Sequence, residues 1–271
     1  MPRVVELEVP AAAAELAADR LWIAGAQAVE ELDAGVVVCL RSVLADDDDV
    51  SRQRLGALPA DWTVRFVDQP DAPSEAWRDF AVPVQVSPTL VLRPAWLPGE
   101  DAAAAALEVL IEPGAAFGLG DHPTTRLAAA ATERLVQAGA AVLDVGCGTG
   151  VLAVIAARLG AARVVAIDVA EPAVEATRAN AARNGVAELV EVSATPLADL
   201  DATFTVVLAN ILAPTLIALA DDLRRVLAPG GRLVVSGVLD GGYDHVVAAL
   251  APLRPIRIDT RDGWAAIELS D

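Results

Sequence analysis

The sequence predicts an α/β protein: a doubly wound, mostly parallel Rossmann-like sheet preceded by a small α+β unit of ferredoxin-like rhythm. Three observations carry this. Beyond residue 140, short apolar runs alternate with amphipathic stretches, the pattern of successive βαβ units. Within it, Val142–Gly150 (VLDVGCGTG) passes from a buried strand into glycines at 146, 148 and 150 and then into a helix. Residues 1–70 follow a strand–helix–strand–strand–helix–strand order, as split βαβ modules do.

The elements follow in order. Val4–Val9 alternates apolar and acidic residues, as a half-buried strand does, and Pro10 opens an Ala-rich helix ended by Gly25. Ala26–Leu32 and Gly35–Leu40 form a hairpin turning at Asp33-Ala34. The acidic run Asp46–Asp49 is a solvated loop that caps a helix from about Val50, and Trp62–Val67 closes the unit. A connector, residues 71–105, holds a short helix at Glu75–Phe80 and a hairpin turning at Ser87-Pro88. The larger domain then spans residues 106–271. Its strands are expected at Leu107–Pro113, Val142–Val145, Arg163–Asp168, Leu189–Val192, Phe204–Ala209 and Arg232–Gly237, the last following a Pro229-Gly230-Gly231 turn. Helices are expected over Pro123–Gln137, from about Thr149, over Pro172–Asn184, over Pro214–Leu227 and near Tyr243–Leu250. The last two strands, Ile256–Asp259 and Trp264–Leu269, are too close in sequence for a parallel crossover and must pair antiparallel.

Composition narrows the function. The chain has 271 residues, 55% of them hydrophobic, with no charge-free apolar run of membrane-spanning length and no signal-peptide pattern. Its two cysteines, Cys39 and Cys147, are too few for a disulfide framework, so thiols and a cytoplasmic location are expected. The formal charge is −18 and every basic side chain is arginine. Such a surface suits solubility or a basic protein partner, and it disfavours direct contact with a nucleic-acid backbone. A monomer is expected.

Candidate site residues cluster at strand ends. The glycine turn lets the backbone approach a ligand, with Gly146 and Gly148 as candidate cofactor-binding positions, and the following helix start offers free N–H groups. Its G-x-G-x-G spacing departs from the dinucleotide G-x-G-x-x-G and matches S-adenosylmethionine (AdoMet) enzymes. Asp168 ends the next strand, 22 residues after Gly146, where an acid can accept both ribose hydroxyls of an adenosyl group. Asn210 ends the strand expected on the other side of the glycine turn, placed to fix a cofactor's amino-acid part, accept a hydrogen bond from a target amine, or cap the next helix. Thr124 and Thr125 can cap their helix or bind a ligand carboxylate. His122 either lines the site or caps that same helix, and His245 belongs to the surface. No Ser/His/Asp set, repeated C-x-x-C or zinc spacing occurs.

With these pieces placed, the chain resembles the PrmA family of ribosomal-protein methyltransferases. The likeness rests on PGAAFGLGDHPTT at 113–125, VLDVGCGTGVLAVIAARLGA at 142–161, AIDVAEPAVEATRANAARNGV at 166–186, LANILAP at 208–214 and PGGRLVVSGVL at 229–239. The resemblance implies a seven-stranded AdoMet-dependent domain, a flexible linker and an N-terminal substrate-recognition domain. It also implies AdoMet-binding positions at Thr125, Gly146, Asp168 and Asn210. The implied substrate is the stalk-base protein of the large ribosomal subunit, methylated at lysine ε-amines and the N-terminal α-amine. Leu119 and Asp121 depart from the family's usual loop. Methylation of another protein or a small amine, AdoMet binding without catalysis, and a Rossmann dehydrogenase are the alternatives; the glycine spacing and the ANIL segment oppose the last.

Overall fold

The computed structural model describes residues 3–23, 29–34, 37–44, 55–56, 58–68, 81–98, 107–112 and 120–271. The chain divides into two compact units, Met1–Ala81 and Val82–Asp271.

The first unit carries β1 (Arg3–Pro10), α1 (Ala14–Ile23), β2 (Glu30–Ala34), β3 (Val37–Leu44) and β4 (Thr63–Asp68). They form an antiparallel sheet of order β2-β3-β1-β4. Alternation along β1 sends Val5, Leu7 and Val9 into a core shared with Leu21 of α1 and with Val38 and Leu40 of β3. Pairing of Ala34 with Val37 makes Asp33 and Ala34 the last strand residues rather than the expected turn. The acidic run Asp46–Asp49 and the helix expected at Glu75–Phe80 lie outside the described residues.

The second unit begins with β5 (Val84–Gln85), β6 (Leu90–Pro94) and β7 (Leu107–Ile111), a small sheet of order β5-β6-β7. The hairpin reverses as expected: Ser87 Oγ accepts from the Thr89 and Leu90 amides at 3.0 and 3.1 Å. Leu90 and Leu92 are fully buried in the same core as Val109 and the helix that follows the glycine turn. Residues 82–98 therefore pack as part of the second unit, although the sequence reading assigns them to a connector.

The main sheet follows: α2 (Pro123–Leu135), β8 (Ala141–Val145), α3 (Val151–Arg158), β9 (Arg163–Ile167), α4 (Glu171–Arg183), β10 (Val190–Ser193), β11 (Phe204–Asn210), α5 (Ala213–Ala218), α6 (Ala220–Arg225), β12 (Leu227–Leu239), α7 (Asp244–Ala249), β13 (Arg254–Arg261) and β14 (Trp264–Ser270). The seven strands lie in the order β10-β9-β8-β11-β12-β14-β13. All pairings are parallel except those of β14 with β12 and β13. The central strands β8, β9 and β11 are covered on both faces and mostly buried, whereas the edge strand β13 is polar and largely exposed. Val142, Val164, Val206 and Val234 enter one core with α2 and α3; Leu143, Val165, Val207 and Val235 enter the other with α5, α6 and α7.

Local departures from the sequence reading have backbone causes. The helix after the glycines starts at Val151 rather than Thr149, because Gly150 sits at φ +77°, outside helical space. The helix expected over Pro214–Leu227 is two, broken at Leu219. β12 absorbs Pro229-Gly230-Gly231 in an irregularity: between the partners of Phe204 and Val206 it advances from Leu227 to Arg232. The final hairpin turns on Asp262-Gly263, both at positive φ (+49° and +81°), the two-residue geometry that matches strand twist.

Phe204 is 1% exposed at the start of β11. Phe204→Ala is expected to cost the second unit about 3–5 kcal/mol, read as a lower urea midpoint with little change in slope.

Candidate active site

Register sets the site. Val145 of β8 pairs with Ile167 of β9 and with Ala209 of β11. The residues that follow, Gly146 and Asp168, leave the sheet level with Asn210 at its carboxyl edge. Two strand spacings, about 10 Å, separate the chain at Asp168 from that at Asn210. The chain runs outward from β8 through β9 to β10 and then returns to β11 on the opposite side of β8. Gly146 and Asn210 thus flank the switch point, where open α/β sheets bind ligands.

The turn needs its glycines. Gly146, Gly148 and Gly150 have φ of +71°, +55° and +77°. A Cβ at Gly146 would overlap Ile211 Cγ2, and one at Gly150 would lie 2.6 Å from Thr177 Cγ2. The amides of Gly146 and Cys147 both donate to the Ile167 carbonyl, at 2.9 and 3.1 Å. Thr177 Oγ1 donates to the Gly148 carbonyl at 2.9 Å and lies 3.3 Å from Cys147 Sγ. Burial pushes the Cys147 thiol well above its ordinary pKa, which keeps it inert.

Asp168 fastens this turn. Its Oδ2 accepts from the Gly148 amide at 3.0 Å and its Oδ1 from the Ala170 amide at 3.0 Å. Each carboxylate oxygen has a further lone pair for a ligand. Glu171 lies in the first turn of α4, whose N-cap Ala170 has no side-chain cap. Val169 beside Asp168 is 93% exposed, an apolar side chain held out at the rim that the sequence reading passed over. Its only signal in the sequence was a valine directly after the strand-ending acid.

Beneath the turn lies Asp144, 1% exposed, accepting from the Ala153 amide at 3.1 Å. Desolvation raises its pKa to about 7, helped by the negative charge of Asp168 and opposed by the Ala153 bond.

The front wall is the start of α2. His122 is its N-cap: Nδ1 accepts from the Thr124 amide at 3.4 Å and lies 2.8 Å from Thr124 Oγ1. The ring meets Trp264 edge-on, 5.2 Å between centroids. Burial lowers the His122 pKa against the opposing pull of Asp121, which favours the neutral ring. Ser236, opposite Asn210 in the ladder, places Oγ 3.4 Å from the Thr124 carbonyl and so ties the start of α2 to this sheet edge. Thr125 is 1% exposed and its Oγ1, unlike that of Thr124, has no hydrogen-bond partner. Asn210 does not cap α5, whose N-cap is Leu212 with no side-chain cap. His245 is exposed, as expected. Gly114, Gly118 and Leu119 lie outside the described residues. Among the described residues no group of three His, Cys, Asp or Glu side chains could hold a metal, and no helix is long and apolar enough to cross a membrane.

Asp144 carries a pH signature. Its pKa is higher in the folded state (about 7) than the ordinary 3.8, so the folded chain holds a proton that the unfolded chain releases over that interval. Its contribution to stability therefore falls as pH rises from about 4 to 7 and is level above. Asp144→Asn is expected to gain on the parent protein by up to about 1.4 kcal/mol per pH unit across that window. Urea unfolding of both proteins over the range measures the difference; a constant gap would remove the assignment.

Residues 60–271 match the model of the family described as ribosomal protein L11 methyltransferase (PrmA). A ribosomal protein L11 methyltransferase of Geobacter metallireducens is 40% identical over 90% of this chain and 88% of its own length. One from Dechloromonas aromatica is 45% identical over 68% of this chain and 61% of its own length. The chain thus spans between about three fifths and nine tenths of these two relatives. The crystal structure of a ribosomal protein L11 methylase from Lactobacillus delbrueckii subsp. bulgaricus covers 69% of this chain and 97% of its own, at 31% identity and a TM-score of 0.65. The chain belongs to the ribosomal protein L11 methyltransferase (PrmA) family.

Proposed function

We propose that the chain methylates ribosomal protein L11, with S-adenosylmethionine as donor and lysine ε-amines and the N-terminal α-amine as acceptors. The single observation that carries this is the level alignment of Gly146, Asp168 and Asn210 at the switch point of a sheet whose family is shown. The residues fit the cofactor. Thr125 Oγ1 is a buried hydroxyl without a partner, suited to the cofactor's amino-acid end. Gly146 and Gly148 carry no side chain to keep a ligand from the turn, Asp168 has lone pairs for the ribose, and Val169 offers an apolar surface to the adenine.

When bound, AdoMet supplies a methyl group on a sulfonium, an electrophile with a good leaving group. The chain's own work is alignment, the part of catalysis that converts an encounter into an in-line approach. Asn210 orients the target amine by accepting its hydrogen bond, and the walls of the site exclude water. Desolvation lowers an ammonium pKa and helps a lysine shed its proton to water. The first unit serves substrate recognition. Its β2-β3-β1-β4 order and single described crossover helix support a ferredoxin-like module, joined by a linker. The acidic excess of the chain favours a basic protein partner over nucleic acid. We place the enzyme in the cytoplasm as a monomer.

Incubation with labelled AdoMet and purified ribosomal proteins tests the activity: label is expected in L11, and none there would sink the substrate assignment. Calorimetry is expected to show AdoMet binding and no NADH binding. Asn210→Ala is expected to lower turnover by about 100-fold while still binding AdoMet. Asp168→Ala is expected to weaken AdoMet binding by about tenfold or more through lost charged hydrogen bonds; undiminished affinity would remove the ribose role.

A further inference from the structure

We propose that Asn180, a buried residue of α4, is a positioning residue that holds the glycine turn and the end of β7 in one frame for the cofactor. This rests on the reading of the sheet edge as an AdoMet site.

β7 is an edge strand of the small sheet, and its free edge is completed by a helix. The Leu110 amide donates to Asn184 Oδ1 at 2.9 Å, and Asn184 Nδ2 donates back to the Leu110 carbonyl at 2.7 Å. One step along, the Glu112 amide donates to Asn180 Oδ1 at 3.0 Å, and Asn180 Nδ2 returns to the Glu112 carbonyl at 2.9 Å. The spacing explains the match. Four helical residues rise about 6 Å and two strand residues about 6.6 Å, so carboxamides at i and i+4 meet alternate strand residues as a neighbouring strand would.

The two asparagines then differ. Asn184 spends its remaining donor on the Asn180 carbonyl of its own helix, at 2.8 Å. Asn180 is 0% exposed, and its Nδ2 also donates to the Thr149 carbonyl inside the glycine turn, at 2.9 Å. Its Oδ1 also accepts from Arg183 Nη1 at 2.8 Å, so two donors and two acceptor sites are all used. The same helix follows directly on Asp168, which fastens Gly148. Glu112 immediately precedes the 113–125 segment that ends at Thr125. One carboxamide thus joins the turn to the strand that leads to the opposite wall. Asn184 grips the strand alone.

The pair supplies its own control. Full-length Asn180→Ala, Asn180→Asp and Asn184→Ala are compared with the parent protein by calorimetric AdoMet titration, by KM and kcat on L11, and by thermal melting. Asn180→Asp keeps the acceptor for the Glu112 amide and Arg183 and loses both donations, to the Thr149 and Glu112 carbonyls. Both Asn180 variants are expected to raise the AdoMet Kd and KM by about tenfold, with kcat at saturating AdoMet little changed. Asn184→Ala is expected to lower the melting temperature as Asn180→Ala does, yet hold AdoMet within about twofold of the parent. Equal losses of affinity from Asn180→Ala and Asn184→Ala would overturn the proposal, as would parental affinity in both Asn180 variants. Silence of the parent protein towards AdoMet would instead overturn the cofactor reading on which it rests.

Discussion

The Gly148 amide reaching Asp168 Oδ2 is the bond on which the site depends. It joins the ends of two adjacent strands, and it exists because β8 and β9 are in parallel register with Val145 opposite Ile167. A one-residue slip would turn Asp168 to the other face and leave the amide without its acceptor. The turn that presents this amide needs positive φ at three positions, which only glycine adopts without steric cost. The apolar alternation that fixes the register therefore also fixes the site. Packing and chemistry share one constraint here.

Support for that constraint comes from behind the turn rather than from the ligand side. Thr177 and Asn180, three residues apart on α4, each take a carbonyl of the turn, at Gly148 and Thr149. Ile211 and Thr177 occupy the space that side chains at Gly146 and Gly150 would need. The turn is thus braced by its neighbours before any ligand arrives, which is the condition for alignment to contribute to rate. His122 and Ser236 brace the start of α2 in the same way, and among the described residues Thr125 is left with a buried hydroxyl to offer.

Much of this was legible in the residues. Period and punctuation placed the strands of the main sheet, and Asp168 and Asn210 were placed at its edge because parallel strands must end on the same side. The structure sets Gly146, Asp168 and Asn210 at one edge of the sheet. What periodicity could not express was long-range pairing. The hairpin at 84–94 looked like a connector because its partner, β7, comes later in the chain and across a stretch of weak pattern. Asn180 and Asn184 looked like ordinary polar helix residues, since their strand-like role depends on where β7 lies. Gly150 and Leu219 moved helix ends because backbone dihedrals, not hydrophobic spacing, decide termini.

The two acids at the turn illustrate how burial divides labour between like groups. Asp144 and Asp168 end up close enough for their charges to interact, yet one is dry and the other meets solvent at the rim. Desolvation resists charge on Asp144, whose oxygen serves the Ala153 amide at the first turn of α3. Two backbone amides hold Asp168, half-buried at the rim, in place without consuming every lone pair. Ionising both at once would set repulsion against the turn that joins them, so burial of the inner acid protects the geometry of the outer one. A carboxyl placed on the strand thus acts as a scaffold, and the carboxyl one strand over is left at the rim with lone pairs to spare. Their sequence contexts, one acid inside an apolar run and one at its end, already contained that difference.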